Sequence, residues 1–319
     1  MSKLGRVSET LSDNFDEDLL LQEPISVWRR TFKRLLSRRS GKIGLFLIGF
    51  IFLIAFTAPI IAPYDPHEVL IGKEIVKLKK REGPCIHMLG CDSAKPQHIM
   101  GIDGNYRDQF SRIIYGSRIS LSIGFSTVSF AVTGGVLLGA LAAFFGGWID
   151  NIIMRVMDVI LGFPSLLLAI AIVAVLGPGI RNALLAIAIV TLPAYARLTR
   201  ASVLTVKELD FVKASIALGA SPTRLLLFRI LPNSLTPIVV LATLGIATAI
   251  LDAAGLSFLG LGAQPPMPEW GTMLGSERNQ VFSAPHLVFF PGIAIMITVL
   301  AFNLFGDGLR DALDPRLND

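Results

Sequence analysis

Apolar residues in this 319-residue chain are gathered into long runs that contain no Asp, Glu, Lys or Arg. Six runs of 15 to 31 residues occur, at 43–62, 119–149, 159–180, 182–196, 230–251 and 287–306. A helix rises about 1.5 Å per residue, so about 20 apolar residues cross the roughly 30 Å hydrocarbon core of a bilayer. The pattern therefore predicts an all-α integral membrane protein with six transmembrane helices.

Two runs depart from the ideal length. The run at 182–196 is short, but the long side chains of Arg197 and Arg200 can extend to the headgroups, which allows a helix that reaches Ala201. The run at 119–149 is too long for one span, and Gly146-Gly147 offers a natural stop.

Composition agrees with the membrane assignment. Charged residues make up 17% of the chain and hydrophobic residues 52%, whereas an average soluble domain carries about 25% charged residues. A purely soluble fold and a disordered chain are both poor explanations of this composition.

Lys and Arg residues indicate the orientation. With both termini in the cytoplasm, 18 of the 29 basic residues fall on the inner side and 11 on the outer side. The contrast is strongest beside the first span, where 28–42 holds seven basic residues and 64–78 holds two. The net charge of +5 thus reflects topology, and no basic groove with interleaved aromatic residues favours nucleic acid.

The chain before the first span has two parts. Residues 1–23 are polar and acidic, which is typical of a disordered cytoplasmic leader. Over 24–42, Trp28, Phe32, Leu35 and Leu36 recur at helical spacing among basic residues, which predicts an amphipathic helix on the inner leaflet. A plain charged flank that sets topology is the alternative, and the two are compatible.

Motifs of enzyme chemistry are missing. The sequence has no phosphate-binding loop, no His-Glu-x-x-His and no Gly-x-Ser-x-Gly, so we expect no catalysis by this chain alone. An ion-coupled secondary transporter would ordinarily carry ionisable groups near mid-membrane. Only Asp252 interrupts the later spans, near the predicted outer end of the fifth. It either contacts a transport pathway or partner, or is a terminal charge that reaches water.

The cytoplasmic segment 203–235 predicts two short helices at a defined corner. Gly219 is the expected end of the first, because glycine adopts the left-handed conformation at little cost. Ser221 would cap the second helix, and Pro222 would open it. The apolar surface formed by Leu209, Val212, Ile216 and Leu218 suggests docking of another protein, although an amphipathic loop resting on lipid has the same pattern.

This segment ends in Leu231-Pro232 and resembles the signature cytoplasmic loop of bacterial ABC importer permeases, whose pattern is Glu-Ala-Ala, then glycine, then Leu-Pro. More narrowly, 28–317 resembles the C-type permease of dipeptide and oligopeptide importers. Matching stretches lie at 107–116, 150–155, 163–168, 256–266, 268–271 and 306–316. The resemblance implies a type I ABC importer permease fold, with the five-helix core at 116–308 and a cytoplasmic tail at 309–319.

The resemblance also implies partners. These are a second permease in a heterodimer, an extracellular or periplasmic peptide-binding protein, and two ATP-binding subunits that hold ATP and Mg²⁺ and leave this chain without a cofactor. The location would be the bacterial cytoplasmic membrane. The residues that the resemblance places in the ATPase-coupling loop are Leu209, Phe211, Val212, Lys213, Ala214, Ser215, Leu218, Gly219, Ala220, Ser221 and Pro222.

Two positions depart from the family pattern. Lys213 replaces the glutamate of Glu-Ala-Ala, so an ion pair made by that glutamate does not carry over. Tyr106 replaces the glycine usual before Arg107, which puts the turn there in question.

The predicted outer loop, 64–115, holds both cysteines. Cys85 and Cys91 face an oxidising compartment in this topology, where a disulfide persists. Two free thiols, or a metal site with His87 and His98, are the alternatives, although this spacing is not standard for zinc. We assign no metal to the chain. A nickel or other small-solute importer of the same family is the alternative substrate assignment, and an ion-coupled secondary transporter is the alternative from another class.

Overall fold

The computed structural model describes residues 27–73 and 78–313, and no β-strand is assigned within these ranges. The helices are α1 (Val27–Leu35), α2 (Arg39–Ile61), α3 (Gln109–Phe145), α4 (Gly147–Leu161), α5 (Ser165–Leu176), α6 (Ile180–Lys207), α7 (Asp210–Ala217), α8 (Pro222–Phe258), α9 (Trp270–Glu277) and α10 (His286–Leu313). The predicted leader 1–23 and the end of the predicted tail, 314–319, lie outside the described residues.

Five described helices are long and apolar enough to cross a membrane, namely α2, α3, α6, α8 and α10. The α4–α5 pair passes the same test jointly but is bent by 94°. The predicted all-α membrane architecture is confirmed, and the count reaches six when the bent pair is taken as one broken span.

The predicted third span is not a continuous helix. The apolar run 159–180 contains Gly162 and Pro164, and the chain breaks there between α4 and α5. Proline lacks an N–H and disfavours helical geometry in the residue before it, so a new helix starts at Ser165. Apolar character continues through the break, which is why hydropathy alone misses it.

The second span begins ten residues before its predicted start. Asp108 caps α3 by accepting a hydrogen bond from the Ser111 N–H at 2.7 Å. Arg112, one turn into the helix, donates to the carbonyls of Pro66 at 2.7 Å and Pro266 at 3.2 Å. These partners satisfy a buried guanidinium, so the helix extends where a hydropathy pattern predicts a loop.

Glycines bring α3 and α6 into close contact. A Cβ on Gly135 would lie 2.5 Å from Cβ of Tyr195, and one on Gly139 would lie 2.8 Å from Cβ of Thr199. This Gly-x-x-x-Gly spacing places both glycines on one face of α3, so the backbone of α6 approaches closely. The pair forms the most extensive helix contact in the described structure.

The N-terminal helices pack on α10. Leu35 of α1 is buried with Leu309 and Ala312 of α10. A Cβ on Gly308 would lie 2.5 Å from Cα of Gly41, so α2 and α10 touch through backbone. The predicted amphipathic helix is thus present as α1, but Leu35 faces the protein, and the spanning helix α2 starts at Arg39, inside the predicted range 24–42.

A polar layer covers the predicted outer end of the bundle. Glu269, which is almost fully buried, caps α9 by accepting from the N–H groups of Gly271 and Thr272. Glu277 at the end of α9 accepts from Arg81 Nε at 2.8 Å and from the Gly104 N–H at 3.0 Å. The predicted outer loop is therefore tied to the bundle, and its last residues, from Gln109, belong to α3.

Candidate functional site

The α7 corner, which we define as residues 208–229, joins two membrane-length helices. After α6 ends at Lys207, Leu209 takes an extended conformation and α7 runs from Asp210 to Ala217. Val212 is 0% exposed and packs in an apolar cluster whose other buried members are Ala143, Val203, Val206, Leu225 and Ile230. The ends of α3, α6 and α8 therefore form a seat that holds α7 against the bundle.

Gly219 ends α7 as the sequence predicts. Its φ is +79°, the left-handed conformation, and no atom lies within 4 Å of a Cβ placed there. The Gly219 N–H donates to the Ile216 carbonyl at 2.9 Å, and the Ala220 N–H donates to the Ser215 carbonyl at 3.1 Å. These two bonds form a Schellman motif, which satisfies carbonyls that the helix end would leave unpaired.

The start of α8 is placed as predicted, but one detail is wrong. Ser221 occupies the N-cap position with extended backbone, and Pro222 is the first helical residue. The Ser221 side chain makes no capping hydrogen bond. Proline has no N–H to satisfy, and its fixed φ suits a first helical turn, so the helix begins here without the serine cap.

Part of the predicted docking surface faces inward. Leu209, Ile216 and Leu218 are 46%, 56% and 88% exposed, whereas Val212 is buried. Assigning Val212 to the exposed surface was therefore wrong, because that side chain anchors α7 to the bundle. Phe211 is also exposed. The part of the α7 corner from Leu209 to Leu218 thus presents four exposed large apolar side chains.

Polar residues border this surface. Lys213 pairs with Glu208 on the same segment at 3.4 Å, and Ser215 Oγ donates to the Phe211 carbonyl at 2.7 Å. An open groove of about 770 Å³ runs between α7 and the start of α8. Gly219, Ala220 and Ser221 line it, together with Arg224 and Arg229.

Two ion pairs connect α6 to α4 near the corner. Arg200 Nε and Nη2 each donate to Asp150 at 2.6 Å, and Arg197 pairs with Asp158. The helix extends past Ala201 as expected, and each of the two arginines has a carboxylate partner in the protein. A bidentate pair fixes relative orientation as well as distance, so α4 is oriented by α6.

The other predicted sites lie away from the corner. Asp252 lies inside α8, six residues before its end, and it lines a groove between α8 and α10. Tyr106 adopts φ +59°, which is the left-handed conformation that glycine would supply, and the questioned turn forms.

The cysteines are joined in the structure. The Cα atoms of Cys85 and Cys91 are 5.4 Å apart, within the usual range for a disulfide. His87 contacts the Lys95 carbonyl and His98 contacts Asp108, both at 2.8 Å. Among the described residues, no group of three or more His, Cys, Asp or Glu side chains is placed to hold a metal ion.

A membrane-spanning helical core with an ordered corner between two spans is typical of a transport permease. The family model described as "Binding-protein-dependent transport system inner membrane component" matches residues 135–319, and "N-terminal TM domain of oligopeptide transport permease C" matches residues 26–78. The chain therefore belongs to the family of binding-protein-dependent transport system inner membrane components. It is a multi-pass inner membrane protein.

Two relatives match nearly the whole chain. A dipeptide transport system permease protein, DppC, of Alkalihalophilus pseudofirmus is 47% identical over 293 residues, which covers 92% of this chain and 91% of that protein. A glutathione transport system permease protein, GsiD, of Pectobacterium atrosepticum is 44% identical over 290 residues, covering 91% and 90%.

The fold is similar to that of a solved transporter. An inward-facing structure of the MetNI methionine ABC transporter aligns with a TM-score of 0.53 at 18% identity. The alignment covers 64% of this chain and 97% of that chain. At this identity the similarity concerns the fold alone, and it confirms the type I ABC permease architecture.

The disulfide predicts a simple labelling result. Denatured, unreduced protein should react with no thiol reagent, and reduction should expose two thiols, measured by mass shift. The ring is short, so loss of the bond in a Cys85→Ser, Cys91→Ser variant should cost near the low end of about 2 to 4 kcal/mol. Two reactive thiols before reduction would rule the bond out.

The buried position of Val212 predicts a position-specific defect. Val212→Asp would place a carboxyl group among apolar side chains, which costs at least the roughly 2 to 7 kcal/mol of an unpaired buried polar group. We expect the α7 corner to become protease-sensitive in membranes while the spans remain inserted. Ile216→Asp, one turn further along α7, should keep the native cleavage pattern. Equal patterns for the two variants would contradict the assigned seat.

Proposed function

We propose that this chain is the membrane permease subunit of an ATP-driven importer of dipeptides or oligopeptides. The assignment of the substrate class rests on the 47% identity, over 92% of the chain, to a protein named as a dipeptide permease. Two further peptide-related matches, the oligopeptide permease C domain at 26–78 and the glutathione permease, support the same class.

The proposed complex has four kinds of subunit. This chain and a second permease form a heterodimer that encloses the path, and an extracellular binding protein delivers peptide. Two ATPase subunits bind ATP and Mg²⁺, so the chain itself needs no cofactor and catalyses no reaction. The excess of Lys and Arg on the inner side supports cytoplasmic placement of both termini.

The α7 corner is the proposed ATPase-docking site. Leu209, Phe211, Ile216 and Leu218 are exposed beyond the ends of two spans, where water rather than lipid would surround them. Covering such side chains with a partner is favourable, at about 25 cal/mol per Å² of apolar surface removed from water. Arg224 and Arg229 at the edge of the groove would meet acidic residues of the same partner.

The contacts of the corner support a mechanism of coupling. Val212 packs on α3, α6 and α8, and Arg200 holds α4 through Asp150. When ATP closes the ATPase pair, a docked α7 would be displaced, and these contacts would move the helices with it. The bundle would then change from an inward-open to an outward-open conformation, and ATP hydrolysis would return it to the first. In this mechanism the docked ATPase subunits shift the equilibrium between the two conformations.

Two alternatives make different predictions. A nickel or other small-solute importer of the same family would share the α7 corner and differ in the groove that substrate crosses. An ion-coupled secondary transporter would need no docking partner. The exposed apolar side chains of the ordered α7 corner favour the ATP-driven mechanism, because a secondary transporter needs no docked partner to cover them.

Uptake measurements test the substrate class. The complex of this chain with its second permease, ATPases and binding protein, reconstituted in proteoliposomes, should accumulate labelled di- or oligopeptide only when ATP is supplied to the ATPase side. A complex without ATP is the control. Accumulation of nickel with none of peptide would overturn the assignment.

A substitution at Gly219 tests the coupling role. Gly219→Val places a β-branched residue at φ +79°, which strains the corner by about 1 to 3 kcal/mol or extends α7 past its end. We expect the spans to insert and the second permease to bind, while ATPase docking is lost or hydrolysis no longer drives uptake. Insertion, co-purification and uptake are measured together.

The matched control for that variant is Gly49→Val in α2. Gly49 is helical and no atom lies within 4 Å of a Cβ placed there, so the same side chain is added without strain. Transport by Gly219→Val at the level of the unmodified complex would make the corner a simple connector.

A further inference from the structure

One carboxylate opens into an apolar groove at the depth of the membrane-spanning helices. This α8–α10 groove has a volume of about 810 Å³, and most of its lining comes from α8 and α10, with Leu166 of α5 and Leu274 of α9. Asp252 and Asn303 are its only polar side chains among the lining residues, all of which the structure describes. The volume lies in the range of roughly 300 to 1,000 Å³ that small-molecule sites occupy.

Asp252 has no partner among the residues that the structure describes. In the described part of the chain it makes no hydrogen bond or ion pair, and no Lys, Arg or His lines the groove. Asp252 lies six residues, about 9 Å along the helix axis, before α8 ends at Phe258. A carboxylate at such a place is costly, and the membrane carboxylates that persist are those that serve a pathway or meet a cation.

Four other acidic groups on or beside the helices are matched. Asp150 and Asp158 of α4 pair with arginines of α6, Asp108 contacts His98, and Glu277 holds Arg81. Asp252 therefore stands out as a half-buried acid that has no counter-charge among the described residues. Charge complementarity favours a cation that enters an apolar groove.

The groove has room for backbone and side chains of a ligand. Gly255 on α8 and Gly292 on α10 both line it, and no atom lies within 4 Å of a Cβ placed on either. These glycines do not serve a close helix contact, unlike Gly135 and Gly139. Because glycine has no side chain, these two positions leave space in the groove beside Asp252.

We propose that Asp252 receives the α-ammonium group of the transported peptide as the peptide crosses the α8–α10 groove. Asn303 supplies a second polar contact, and the apolar walls accept side chains of varied size. This proposal rests on the proposed function. A small peptide satisfies the requirement directly, because it carries a positive charge next to apolar and polar groups that match the two kinds of lining.

The test compares Asp252→Asn with the unmodified chain in the complete complex. Uptake is measured for one peptide with a free N-terminus and for the same peptide N-acetylated. The ratio of variant rate to unmodified rate is taken for each peptide, so that any preference of the binding protein cancels. We expect the free-amine peptide to lose at least about tenfold in rate, as for loss of a charge-assisted hydrogen bond, and the acetylated peptide to be unaffected.

If the acetylated peptide is not transported at all, a series of substitutions that change the charge at position 252 (the charge series) provides the test. Uptake of the free-amine peptide should then follow the order Asp and Glu, then Asn, then Lys at position 252. Asp307→Asn, the same change at an exposed carboxylate of α10 outside the groove, should leave uptake unchanged. Co-purification of the second permease should be the same for all variants.

Three results would overturn the proposal. These are equal rates across the charge series, equal ratios for the free-amine and acetylated peptides, and loss of the second permease from Asp252→Asn. The last result would show that Asp252 pairs with a cation of the other permease. If the unmodified complex imports no peptide, the proposed function itself fails, which is a different outcome.

Discussion

The close contact between α3 and α6 is the constraint on which the position of the neighbouring elements depends. Gly135 and Gly139 allow the two backbones to approach, and Ala143, four residues further along α3, forms part of the seat of Val212. On α6, Thr199 meets Gly139, and the next residue, Arg200, holds α4 through Asp150. One interface thus places the α7 corner and orients the neighbouring helix. Lipid offers no hydrophobic force between helices, so this fit of backbone to backbone carries the packing.

Hydropathy could predict the spans but not their true ends. Arg112 interrupts the apolar pattern before 119, yet α3 includes it because carbonyls of Pro66 and Pro266 accept its hydrogen bonds. The reverse error occurs at Gly162, where apolar residues continue but the helix direction changes by 94°. Both differences have one origin: hydropathy counts the polarity of side chains, whereas helix ends depend on backbone conformation and on partners distant in sequence.

The sequence predicts where the α7 corner turns better than it predicts which side of α7 faces the bundle. Gly219 and Pro222 act through backbone conformation, which is a local property, and both lie where the sequence places them. The side on which Val212 lies depends on the ends of three other helices, and α7 is apolar on more than one side. No periodicity within eight residues can separate an anchoring face from an exposed one. For the same reason the arginine partners on α4 were not predictable, since Asp150 is 50 residues from Arg200.

Charged side chains that pair with each other serve the fold, whereas an unpaired charged side chain is available to a ligand. Arg200 and Asp150 satisfy each other through a bidentate contact that holds α4 on α6, so both serve the fold. Asp252 has no such partner in the described chain, and its removal would relieve a cost rather than create one. The fold does not need this carboxylate, and its position costs free energy. Its role is therefore a contact that is made during transport. The same reasoning applies to the exposed apolar side chains of the α7 corner, which the fold leaves uncovered although it buries Val212 beside them.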